Sequence, residues 1–218
     1  MDRKIFFDAI RRSVFRGSLN EEQVEGTEQL LRVWFDHYAD QNPQHLAYNL
    51  ATAYHETAHT MQPIMERGRR SYFNKYEPGT RIGRMLGNTV RGDGYRFRGA
   101  GHVQNTGRRN AQKATDELNA RFGLDINLVE APELRLDPFI SAHSLFLGNL
   151  MGWWTGKGLT DYLDEDDRDE WGDYVRCRYV VNGRDKRELI ARYATQFEEA
   201  ILRAGYERTI PRTYEPTR

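Results

Sequence analysis

The sequence predicts a mainly α-helical fold in a single domain, residues 1–218, with a small β-hairpin. Three observations predict it. Apolar residues recur at three- and four-residue spacing through most of the chain. Helix start and stop residues flank those periodic stretches. The pattern lapses in one loop-rich segment, Gly68 to Gly101. With 218 residues, 39% of them hydrophobic and 12% aromatic, the chain can bury one sizeable core, and no shift in composition divides it.

The elements follow in order. Ile5, Phe6, Ala9, Ile10 and Val14 mark an amphipathic helix from Ile5 to Phe15, ended by Gly17. Ser18-Leu19-Asn20 resembles an N-cap region for a longer helix through Leu30, Leu31, Val33, Trp34 and Tyr38. Pro43 opens a third helix, which carries Glu56 and is expected to end at Pro63. Gly92, Gly94, Gly99 and Gly101, set among Tyr95 and Phe97, suggest a twisted hairpin needing positive φ or a close approach. Further helices are expected near Arg108 to Phe122, Pro138 to Met151, Asp167 to Val181 and Lys186 to Ala204. Pro211 and Pro216 mark a loosely ordered tail, 206–218. Trp153-Trp154 is either a packing pair or a sugar-stacking platform.

Composition narrows the function. Lys plus Arg equals Asp plus Glu at 32 each, so no global basic surface argues for nucleic acid. Arg67, Arg69, Arg70, Arg81 and Arg84 form a local basic stretch, suited to an anionic wall polymer or simply solvated. Cys177 stands alone, which excludes an intramolecular disulfide and suits a reducing compartment; a buried small hydrophobe is the expected role. No apolar run is long enough for a signal peptide or a membrane span. The expectation is a cytoplasmic monomer, without membrane insertion.

The pentapeptide His55-Glu56-Thr57-Ala58-His59 is the chemical centre of the sequence. It matches H-E-x-x-H, in which two His one helical turn apart bind zinc and the Glu activates water. A catalytic zinc also needs a third ligand. The residues after His59 lack the usual x-x-Gly-x-x-His, and Glu77 precedes a Pro78-Gly79 turn. No metal and no cofactor is therefore expected, and a zinc peptidase through His55, Glu56 and His59 stays as the alternative.

A pair of carboxylates offers a second chemistry. Glycoside cleavage uses one carboxylic acid to protonate the leaving oxygen and another carboxylate to activate water. Glu56, on a helix rich in Ala, Tyr and Leu, suits the acid; Glu66, past Pro63 on a more exposed loop, suits the base. Room for a water between them implies inversion at the anomeric carbon.

The order of three motifs adds a resemblance. His55-Glu56-Thr57, then Tyr95 through Gly99-Ala100-Gly101-His102-Val103-Gln104-Asn105-Thr106, then Val181-Asn182-Gly183 with Arg192-Tyr193, resembles glycoside hydrolase family 19, of chitinases and phage or bacterial lysozymes. It spans roughly Asn49 to Phe197. The resemblance implies a lysozyme-like α+β fold whose hairpin lines a cleft, with peptidoglycan as substrate and chitin as runner-up; the protein would reach that wall from the host cytoplasm through a separate release factor, or be carried on a virion. It implies Glu56 as general acid, Glu66 as general base and Thr106 as the hydroxyl that positions water. His55, Tyr95, Gln104 and Asn182 would contact sugar, and Arg192 would pair with the carboxylates. Ala100, Asn105 and Ala111 depart from the family pattern, which leaves an inactive glycan-binding module as a third class.

Overall fold

The computed structural model describes residues 1–163 and 170–206. Its helices are α1 (Arg3–Ser13), α2 (Glu21–His37), α3 (Pro43–Glu56), α4 (Arg81–Met85), α5 (Asp93–Arg96), α6 (Arg108–Phe122), α7 (Pro138–Leu150), α8 (Glu170–Val181) and α9 (Arg187–Arg203). Strands β1 (Ile64–Met65) and β2 (Ala100–Gly101) form one antiparallel pair, Ile64 opposite Gly101 and Met65 opposite Ala100. The architecture is mainly α with a small two-stranded sheet.

The long helices start where the sequence offers caps. Asn20 closes a reciprocal capping box with Gln23 at the start of α2, Asn42 accepts from Gln44 N ahead of Pro43, and Asp137 accepts from Phe139 N and Ile140 N ahead of Pro138. Each such cap contributes about 1 kcal/mol by satisfying an orphan N–H. Gly123 ends α6 in the left-handed conformation.

Helices α3 and α7 are buried on nearly every side, from Leu46 to Tyr54 and from Ile140 to Asn149, and form the centre of the molecule. Helix α9 packs along α3, with α1 and α8 beside it, while α7 meets α2, α3 and α6. One set of polar groups inside this core is paired across the helices. Asn149 Nδ2 donates to Asn49 Oδ1, Asn49 Nδ2 donates to the His45 carbonyl, and Trp154 Nε1 donates to Asn149 Oδ1. Trp153 is buried edge-on to Trp154, so the tryptophan pair is a packing element. Cys177 is buried, as expected.

Three expectations need correction. The 92–101 segment is not a hairpin: Asp93–Arg96 is helical, and β2 pairs with β1, more than thirty residues earlier. Its glycines do serve positive φ, at Gly92 and Gly101, or close approach, since a Cβ on Gly94 would lie 2.5 Å from the Phe73 carbonyl oxygen. Helix α3 ends at Glu56, well before Pro63, because Thr57 and a left-handed turn stop it. Tyr206, placed in the tail by sequence, is docked: its hydroxyl accepts from Trp34 Nε1 and donates to the Ala39 carbonyl. The rest of the expected tail, 207–218, and the expected start of α8 at Asp167 lie outside the described residues.

Candidate functional site

Glu56 is the last residue of α3, and its carboxylate is held by a residue 122 positions along the chain. Arg178 Nη1, on α8, donates to Glu56 Oε1 at 3.0 Å, and Arg178 Nε donates to the Asp185 carbonyl at 2.9 Å. The Arg178 side chain is only 1% exposed and that of Glu56 17%. A half-buried carboxylate against a guanidinium differs from the apolar setting expected for Glu56. The partner also differs: Arg192 is exposed on α9 and pairs with neither glutamate among the described residues. Tyr48 and Thr52, at four-residue spacing before Glu56 on α3, bury their hydroxyls. Burial pushes the Tyr48 phenol well above its ordinary value.

The turn after Glu56 breaks the H-E-x-x-H geometry. Ala58, His59 and Met61 all take positive φ, 52°, 71° and 62°. His59 is therefore off the helix that holds His55, exposed and stacked on Tyr54 at 4.2 Å. The two-His, one-turn arrangement that zinc needs is not formed. No group of three His, Cys, Asp or Glu able to hold a metal occurs among the described residues. Glu77 instead accepts from Gly92 N at 2.7 Å.

Such a run of left-handed residues is costly and must be held by its surroundings. Here it is. Thr57 Oγ1 donates to the Ala53 carbonyl and accepts from Met61 N. Gln23 Nε2 donates to the His59 carbonyl, and Gln62 Nε2 donates to the Glu22 carbonyl. Gly26 lets the turn lie directly on α2, since a Cβ there would sit 2.4 Å from the Met61 carbonyl oxygen. His102, fully buried, completes the clamp. Its Nε2–H donates to the Met61 carbonyl at 3.1 Å, so Nδ1 carries the lone pair and accepts from Ser141 Oγ at 2.7 Å. Burial pushes the His102 pKa down to about 4, which keeps this tautomer neutral.

Beyond the turn, Glu66 follows β1 and meets the Gly99 loop. Glu66 N donates to the Gly99 carbonyl at 2.7 Å, and Gly99 N donates back to Glu66 Oε2 at 3.1 Å. Thr106 Oγ1 and Gln104 Oε1 reach the same point: a Cβ on Gly99 would find Gln104 Oε1 at 2.6 Å, Glu66 Oε2 at 3.2 Å and Thr106 Oγ1 at 3.3 Å. Only glycine leaves room for these oxygens to converge. Thr106 donates its proton to the Gln104 carbonyl at 2.8 Å. Gln104 Nε2 is committed to the carbonyls of Ile64 and Gly101, so its role is to tie this loop to β1.

The structure thus gathers Glu66, Gln104 and Thr106 into one cluster and holds Glu56 in another. No hydrogen bond or ion pair joins the two glutamates among the described residues. His55 is half-buried beside Glu56, and desolvation by burial lowers its pKa against the opposing pull of that carboxylate. Asn182 is exposed on the turn whose Asp185 carbonyl takes the Arg178 donor, which puts the Asn-Gly turn on the Glu56 side. Tyr95 lies against Arg98 at 4.0 Å and Arg70 at 5.2 Å, and makes no hydrogen bond to Glu66 among the described residues. The tyrosine that reaches Glu66 is Tyr76, whose hydroxyl donates to Oε1 at 3.4 Å. Burial, and then the Glu66 charge, raise the Tyr76 pKa.

Arg178, Tyr76 and Arg135 are the residues that sequence reasoning missed. Arg135, 2% exposed, donates to the carbonyls of Arg96, Arg98, Asn105 and Pro132, and so fixes both ends of the Gly99 loop. Burial lowers its pKa to about 10, so the guanidinium stays charged at neutral pH. No motif announces any of the three.

A scan against protein-family models and searches of curated proteins and of solved structures return no match to this chain. Functional argument therefore rests on its own residues. No helix among the described residues is long and apolar enough to cross a membrane.

Proposed function

We propose that this protein is a glycoside hydrolase of the family 19 type that cleaves β-1,4 links between amino sugars of peptidoglycan, as a lysin used in phage lysis or carried on a virion. The observation that supports it best is the meeting of Glu66 Oε2 and Thr106 Oγ1 beside Gly99. The Thr106 proton points to the Gln104 carbonyl, so the hydroxyl oxygen is free to accept from a water. A water donating one hydrogen to Thr106 has its other hydrogen for Glu66. In the reaction that water adds its oxygen to the anomeric carbon, Glu66 takes a proton, the glycosidic C–O bond breaks, and Glu56, entering as the carboxylic acid with its proton on Oε2 while Oε1 accepts from Arg178, protonates the departing oxygen. Arg178 orients Glu56, in the place first given to Arg192. Asn182 and His55, on the Glu56 side, and Tyr95 would contact sugar.

The test is release of reducing ends from purified peptidoglycan by the intact protein and by Glu56→Gln and Glu66→Gln. Each variant is expected to keep its melting temperature within a few degrees and to lose on the order of two to four powers of ten in rate. Proton NMR of the first product is expected to show inversion. Normal lysis by Glu56→Gln, or a retained anomer, would remove this mechanism. Cleavage of chitin oligomers in place of peptidoglycan would move the substrate and keep the residues.

A further inference from the structure

The neutral net charge of the chain hides a strong asymmetry. Positions 67 to 113 hold twelve Arg or Lys and only two acids, so the remainder holds twenty cations against thirty acids. The two acids are consumed locally. Asp93 is buried and accepts from Arg108 Nη2 at 2.7 Å and from the N–H groups of Thr89 and Val90. Glu77 accepts from Gly92 N. Arg67, Arg69, Arg70, Arg81, Arg84 and Arg91 are all exposed, and none has a carboxylate partner among the described residues. Several guanidinium groups are braced on backbone, Arg84 on the Gly79 carbonyl and Arg109 on that of Arg84, while Arg70 and Arg98 share the Tyr95 ring. Each guanidinium has five N–H donors, so bracing one leaves others for a ligand. Arg70, Ser71, Asn74, Arg91 and Gly92 line an open depression in this surface, with Glu77 turned toward Gly92 N.

We propose that this surface binds a phosphodiester-bearing glycopolymer of the bacterial wall, holding the protein against its substrate; the choice of a wall polymer rests on the glycosidase reading. Ten of the twelve cations are arginines, whose planar fork matches two phosphate oxygens at once. They are spread along the segment, as a linear polyanion requires, and do not converge on one pocket. Arg67 directly follows Glu66 in the chain, so the basic stretch starts one residue after the carboxylate proposed as the general base. A single-stranded nucleic acid fits less well, because it needs open aromatic platforms. The exposed Tyr72 ring is already covered by Lys75 Nζ at 3.6 Å. The acidic remainder repels the same polymer and sets the orientation of approach.

The test is co-sedimentation of the Glu56→Gln protein with purified walls, intact and after acid removal of the phosphodiester polymer, at low and high salt. Retention is expected on intact walls, with a loss of about tenfold or more on stripped walls and a steep fall with salt. Arg67→Gln/Arg69→Gln/Arg70→Gln/Arg91→Gln, all at exposed positions, is expected to match the stripped-wall result; should it fail to fold by circular dichroism, the stripped-wall arm decides alone. Equal binding to stripped walls, or tighter binding to single- or double-stranded DNA oligonucleotides than to intact walls, overturns the proposal. Reducing-end release by the unsubstituted protein is measured separately. Its absence beside phosphate-dependent binding removes the glycosidase reading and leaves this surface standing; the opposite pair of results does the reverse.

Discussion

In the scaffold of α1, α2, α3, α7 and α9 the interior is apolar, from Phe6 and Ile10 through Leu30, Trp34 and Leu50 to Phe146, Phe197 and Ile201. In the lobe from Arg67 to Gly107 the buried apolar side chains, Phe73, Phe97, Ala100 and Val103, are matched by polar ones, Asn88, Asp93, His102 and Asn105, and Arg135 reaches in from outside. Asn88 joins the Tyr76 carbonyl to Arg108 N, Asp93 takes the Arg108 fork, and Arg135 spans four carbonyls. The scaffold is thus held by burial, which tolerates imperfect geometry, and the lobe by charged hydrogen bonds, which fail when one partner is removed. The Glu66 cluster sits where the two meet.

This comparison predicts a graded set of losses. Phe146, buried between Trp34 and Tyr38, belongs to the scaffold alone. Phe146→Ala is expected to cost about 3–5 kcal/mol. Hydrogen exchange should then accelerate in scaffold and lobe alike, since the lobe rests on the core; an intact scaffold with an opened lobe would break the comparison.

Arg135→Met keeps most of the volume and strips donors from carbonyls of the lobe. A cost of about 2–4 kcal/mol is expected, with faster exchange confined to residues 94–107 while α1 and α9 stay protected. Uniform acceleration across the chain would show that the lobe has no separate stability.

The smallest effect, reckoned per pH unit, concerns pH. The folded pKa of His102 is about 4 and that of His143 about 3, both lowered chiefly by desolvation from the ordinary 6.5. Between these values the unfolded chain binds protons that the folded chain refuses. Stability is therefore fully present above pH 6.5 and declines as pH falls toward 4, by about 1 kcal/mol per pH unit for each such His. Urea midpoints from pH 7 to 4 check the slope, and His102→Gln is expected to flatten it. An unchanged slope in that variant would mean that His102 is not excluded from protonation by the fold.

The sequence by itself determined the long helices and several of their ends. Asn20, Pro43, Asp137 and Gly123 act through neighbours in the chain, so their meaning is local and readable. That Glu66 and Thr106 share a task was an implication of resemblance alone; their meeting with Gln104 at Gly99 is a product of the fold. Nor did the sequence determine which arginine meets Glu56. Arg178 and Arg192 both lie on helices, and only the packing of α8 and α9 decides that Arg178, 122 positions from Glu56, turns inward while Arg192 faces solvent. Likewise Tyr76 and not Tyr95 reaches Glu66, and glycines that suggested a hairpin serve close contacts between distant segments. Periodicity and capping report what a residue does to its own turn of chain. Partners across the fold are set by how helices and loops pack, and that information exists only once the chain has closed on itself.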